Sequence, residues 1–138
     1  MQTFLPSPSF QDSARCLDWR RLGKQRVEAM LILFIIRGEG WQSWKSHPAV
    51  KMWRGYEAEL VRYGVVVCDE WIARGYRDTT RPRLLDMMPT SDRGAPPWLG
   101  DPRLHSSHRS NLLRKDLDYY SRFGWAEPPD LPYFWPVR

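Results

Sequence analysis

The longest apolar run in the chain, Val27 to Ile36, is interrupted only by Glu28, whereas the turns before it carry Arg15, Arg20, Arg21, Lys24 and Arg26. This pattern predicts one helix from about Ala14 to Arg37, whose second half, apolar on every side, is surrounded by protein and forms the core. The first half is a cationic working end. Arg21, Lys24 and Glu28 fall at i, i+3 and i+7, so one carboxylate shares a stripe with two cations. An ordinary ion-paired surface stripe is the plain alternative to a tuned site.

A second apolar series, Ala49, Trp53, Tyr56, Leu60, Tyr63, Val67 and Trp71, recurs every three or four positions and predicts one helix from Pro48 to the Gly75 stop signal. The series crosses Gly64 in phase, where a glycine permits close packing or a kink; two helices meeting there, with a strand at Val65 to Cys68, is the alternative. Tyr76 to Leu104 holds five prolines and reads as a long loop with a short turn at Arg83 to Met88, packed down by Trp98 and Leu99. A third helix is predicted from Ser106 or Ser107 to about Phe123, with Leu112, Leu113, Leu117 and Tyr120 on its apolar face. His108, Arg109, Asn111, Arg114 and Lys115 lie largely off that face, and the free amides at its start would suit a phosphate.

Two prolines make Met1 to Pro8 an extended arm that Phe4 and Leu5 can pin to the core, with Ser9 or Asp12 capping a short helical lead into the first long helix. Gly124 to Arg138 is a proline-rich tail carrying Tyr133, Phe134 and Trp135. The expected fold is therefore all-α: a compact single domain over residues 1–138, with three long helices, the arm, the proline-rich loop and the aromatic tail.

Charge sharpens the picture. The net charge is +5, and seventeen of the twenty-one basic residues are arginine, accompanied by eight tryptophans. Arginine forks onto phosphate oxygens and rings hold unstacked bases, so this composition points to nucleic acid, with Trp53 and Trp71 read as core. Two cysteines in apolar helical context, Cys16 and Cys68, suggest a reduced, soluble, cytoplasmic protein, and no apolar run is long enough to span a bilayer.

Most chemical motifs are missing. Asp101, His105 and His108 offer three metal ligands without a fourth, so neither metal nor cofactor is expected. His47 before Pro48 reads as a helix cap. There is no phosphate-binding glycine loop, serine elbow or zinc-deaminase signature. What is left is the pinned α-amine beside the Arg21, Lys24 and Glu28 stripe. α-Amines lose their proton more readily than lysines, and a neutral amine attacks a sugar C1′ to form a Schiff base. Lys24 is the other nitrogen nucleophile in the basic segment.

Three segments carry a resemblance. MWRGYEAELVRYGVVVCDEWIARGYRDTT, WLGDPRLHSSHRSNLLRKDL and PYFWP are similar, in order and spacing, to the central helix and its exit, the lead into the last helix, and the aromatic tail of the pyrimidine dimer DNA glycosylases of the phage endonuclease V type. The resemblance implies an all-α monomer whose arm threads between helices and which acts on damaged or distorted duplex DNA near the nucleoid. It also implies base excision by attack of the terminal amine on C1′, assisted by a first-helix glutamate, then strand cleavage by β-elimination. Carried over, the catalytic candidates are Met1 or Gln2 for the amine and Glu28 for the acid. Because a bulky Gln2 keeps the methionine in place, the amine would be that of Met1. The DNA-binding candidates are Arg20, Arg21, Lys24, Arg26, His105, His108, Arg109, Asn111, Arg114 and Lys115. A binding module of the same fold without chemistry, and a helical protein unrelated to nucleic acid, are the competing readings.

Overall fold

Asp18 decides how the chain begins to fold. The structure, a computed structural model, describes residues 1–137. In it the first predicted helix is two helices, α1 at Phe10–Cys16 and α2 at Trp19–Ile36. Between them Leu17 is extended and buried, and the Asp18 carboxylate caps α2 by accepting from the Arg21 amide at 3.5 Å. Tyr120 locks this corner, its hydroxyl accepting from the Asp18 amide at 3.1 Å and donating to the Asp18 carboxylate. Ser9 caps α1. The second half of α2 does supply core, through Ala29, Ile32, Leu33 and Ile35, but it is not enclosed all round: Val27 is exposed.

The second predicted helix is also divided, at Gly55 and not at Gly64. Residues 48–51 form α3 (Pro48–Lys51), capped by His47, and α4 runs Glu57–Ala73. Gly55 turns the chain at a φ of 90°, a left-handed conformation that glycine adopts at little cost, and Glu57 accepts from its amide at 2.8 Å. Gly64 continues α4 without a break and serves close packing. A Cβ there would lie 2.7 Å from Leu84 Cδ1 and 3.1 Å from the Ala29 methyl of α2. Leu84 belongs to α5 (Arg81–Asp86), which replaces the short turn expected in the long loop. Trp98 pins the rest of that loop, donating from its indole to the Met52 carbonyl at 2.9 Å and packing edge-on to Trp53.

The third long helix, α6, starts earlier than predicted, at Pro102, and ends at Lys115; α7 (Leu117–Tyr120) and a 3-10 turn at Ser121–Phe123 come after it. Asp101 caps α6 with Pro102 in its first turn, an arrangement suited to both residue types. Asp116 breaks the continuation by capping α7. The fold is all-helical, with α2, α4 and α6 its long elements and no strand among the described residues. No helix among them is long and apolar enough to cross a membrane.

The terminal segments are held by polar side chains set into this helical body. In the arm, Leu5 donates its amide to His108 Nδ1 (2.9 Å) and accepts from His105 Nδ1 (2.8 Å). Phe4 donates to Gln25 Oε1 (2.9 Å), and Tyr63 donates to the Phe4 carbonyl (2.9 Å). On the tail, Ser107 and Ser110 accept from the amides of Phe134 and Leu131, while Asn111 donates to the Leu131 carbonyl. The aromatic tail thus covers core, with Tyr133, Phe134 and Trp135 packed against it.

Candidate active site

The arm, the start of α2 and the junction of α6 with α7 enclose a cavity of about 830 Å³. Met1, Gln2, Arg20, Arg21, Lys24 and Glu28 all line it, and Lys115 joins them from the end of α6. Seven candidate residues spread over the sequence therefore meet in one place.

Glu28 is the residue whose setting departs most from the surface stripe that its spacing allows. It is 8 % exposed, and its Oε1 accepts from the Gln2 amide at 3.0 Å. Arg21 pairs with Asp18 at 3.2 Å instead. Gln25, one turn before Glu28, fastens the same stretch of arm from the other end, donating to the Gln2 carbonyl at 2.9 Å, with its Oε1 2.8 Å from the Tyr63 hydroxyl, whose single proton Gln25 and the Phe4 carbonyl share. Two polar side chains three residues apart on the buried side of α2 thus hold the backbone of Gln2 to Phe4. The Gln2 side chain accepts from the Thr3 amide, while its buried Nε2 donors have no protein partner.

The cavity's carboxylates are turned onto backbone amides: Glu28 onto Gln2, Asp18 onto Arg21, and Asp116 onto Tyr119 at 3.1 Å. Burial alone would raise the Asp18 carboxyl, but hydrogen bonds from Tyr120 and Arg21 outweigh it and hold it below the usual carboxylate range. The cations have no such inward partners in common. Arg20 and Lys24 are exposed, and the Lys115 ammonium is pushed down from its ordinary value by desolvation and by Arg21, Arg114 and Lys24 nearby. Such a cluster gains from an anion that spreads negative charge among its members.

Several candidates lie elsewhere. Arg26 is a strut: its guanidinium meets Asp78 at 2.5 Å and stacks 4.5 Å from the Trp71 ring, so it ties α2 to the exit of α4 and does not line the cavity. His105, His108 and Asn111 are buried by their grip on arm and tail. Burial drives the His108 imidazole down to about 3, with His105 adding to the effect, so it is neutral and accepts from Leu5. His105 is likewise lowered, chiefly by burial, and its Nε2 accepts from the Gly100 amide. Neither ring is presented to a phosphate, and no metal-binding group forms among the described residues. Arg109 is spent on Glu127 at 2.7 Å and on the Pro6 carbonyl at 2.8 Å, and Arg114 on Asn111. The expected phosphate site at the start of this helix is filled by the Asp101 carboxylate, itself paired with Arg103 at 2.7 Å.

Sequence reasoning missed Gln25, Trp19 and Tyr119, which line the cavity, and singled out Tyr133 only as one ring of the aromatic tail. For Gln25 a signal existed, a second polar residue on the buried stripe of α2. For Trp19 it was an aromatic directly after a capping aspartate and before two arginines. Tyr119 and Tyr133 reach the cavity only through the packing of α7 and the tail.

A family model described as pyrimidine dimer DNA glycosylase matches residues 1–83. No curated protein and no solved structure matches the chain. The matched stretch contains the arm, the cationic start of α2 and Glu28.

Proposed function

The chain belongs to the pyrimidine dimer DNA glycosylase family, and on that premise we propose that it excises a base from damaged or distorted duplex DNA and cleaves the strand through a Schiff base on the α-amine of Met1. The observation that carries this reading is the gathering of Met1, Glu28 and the cations Arg20, Arg21, Lys24 and Lys115 around one cavity. The cations hold the phosphates flanking a kinked site, which brings an extruded nucleotide to the arm.

The reaction divides among these groups. The neutral Met1 amine attacks C1′; the N–C1′ bond forms as the glycosidic bond breaks, and the base leaves with its electron pair and takes up a proton. Loss of a proton from nitrogen gives an N,O-aminal, and cleavage of its C1′–O4′ bond, with O4′ taking up a proton as the nitrogen lone pair forms the C=N bond, opens the sugar to a protonated imine. Glu28, anchored through the Gln2 amide, supports the positive charge that develops at C1′ and is placed to move protons as the sugar ring opens. Removal of a C2′ proton then expels the 3′-phosphate by β-elimination, and water releases the amine. No metal or cofactor takes part in this scheme.

Intact mass after borohydride reduction in the presence of an abasic-site duplex tests it, with peptide mapping of the product. An adduct on the terminal amine is the expected result. An adduct on Lys24 or Lys115 moves the nucleophile. A bound duplex with no adduct favours the non-catalytic binding module, which the inward engagement of every cavity carboxylate also fits.

A further inference from the structure

Trp19 has no place in this excision chemistry, and its setting is unusual. It is the first residue of α2, directly after the Asp18 cap that Tyr120 and Arg21 hold, so its backbone is among the best anchored at the site. The residue is nevertheless 54 % exposed while it lines the cavity. The Arg20 guanidinium lies 5.3 Å from the ring centroid, and Arg21 and Lys24 come next along the same helix. Trp53 and Trp98, by contrast, are buried with partnered indole nitrogens.

From this we infer that Trp19 is the stacking platform for the base left unpaired at the lesion. The assignment rests on the damaged-DNA reading and adds the residue that discriminates a disrupted base pair from an intact one. A flat indole carried by an anchored backbone at the rim of a cationic cavity offers its π-face to a base while neighbouring cations take the phosphates. An intact duplex offers no free base face, so the ring contributes only where stacking is already broken. Phosphate contacts act on both kinds of duplex alike.

The test compares wild type, Trp19→Ala and Trp19→Phe on a duplex carrying a tetrahydrofuran abasic analogue and on its intact counterpart, by anisotropy. Trp19→Ala is expected to lose about 5- to 100-fold in affinity for the analogue duplex, with intact-duplex affinity and salt slope unchanged and Trp19→Phe retaining most of the binding. A 5-iodouracil placed opposite the analogue should photocrosslink to Trp19, read by peptide mapping. Wild-type affinity in Trp19→Ala, an equal loss on both duplexes, or a crosslink to Tyr119 or Tyr133 overturns the assignment and leaves the repair reading standing. Failure of the wild type to prefer the analogue duplex overturns both.

Discussion

Single residues here are placed by the partners that satisfy them, and their consequences can be measured one at a time. Glu28→Gln keeps an oxygen that can accept from Gln2, so the arm stays seated while the carboxylate is lost. Single-turnover excision is expected to fall about 100-fold with duplex affinity preserved; an unchanged rate would make Glu28 a fastener only. His108 makes a different prediction. Its folded-state value of about 3 lies below the roughly 6.5 of an unfolded chain, so below pH 6.5 the unfolded state takes up a proton that the folded state refuses. The stability it contributes is complete above that pH and is lost on acidification at about 1.4 kcal/mol per pH unit until the folded value is reached. His108→Asn retains an acceptor near the Nδ1 position and does not titrate, so its melting temperature should fall less steeply than that of wild type between pH 7 and 5.

At the scale of elements, α2 and α4 pack as closely as they do because Gly64 has no side chain. Gly64→Ala sets a methyl against Leu84 and Ala29 and should cost about 1–3 kcal/mol, seen as a lower denaturation midpoint. The apolar periodicity that marks α2 and α4 was legible in the sequence because each buries an apolar stripe, whereas α6 buries His105, Ser107, His108, Ser110 and Asn111 beside its leucines and leaves the expected Leu117 exposed beyond its end. The breaks at Asp18, Gly55 and Asp116 were not, since the two aspartates interrupt the helices through capping contacts and Gly55 through a left-handed turn, neither of which the apolar spacing reveals. The basic cluster and Glu28 were legible for the same reason as the helices, being local to one element. The structural engagement of His105 and His108 was not legible, because their partner, the Leu5 backbone, lies in an arm without any pattern.

The whole molecule presents a field set by which cations face outward. Arg21 lines the cavity, whereas Arg26 is spent on Asp78, so two arginines five residues apart should fail differently. Arg21→Ala should weaken binding to any duplex and lower the slope of log affinity against log salt by about 1. Arg26→Ala should leave that slope unchanged and lose about 2 kcal/mol of stability, because Asp78 loses its cation and keeps the Arg81 amide. Equal salt slopes for wild type and Arg21→Ala would place the phosphate contacts elsewhere.

The clasp on Leu5 also bears on the order of events at the ribosome. Leu5 leaves the exit tunnel about a hundred residues ahead of His105 and His108, the groups that hold its amide and carbonyl. Closing so long a loop comes late and is slow relative to local helix formation. Gln25 and Glu28 of α2 and Tyr63 of α4 can hold Gln2 to Phe4 once those helices pair, whereas the grip on Leu5 waits until α6 has been synthesised. A nascent or truncated chain lacking α6 can therefore hold its arm at Gln2 to Phe4 and still lack the fastening at Leu5. The arrangement leaves the last fastening of the arm to completion of the fold.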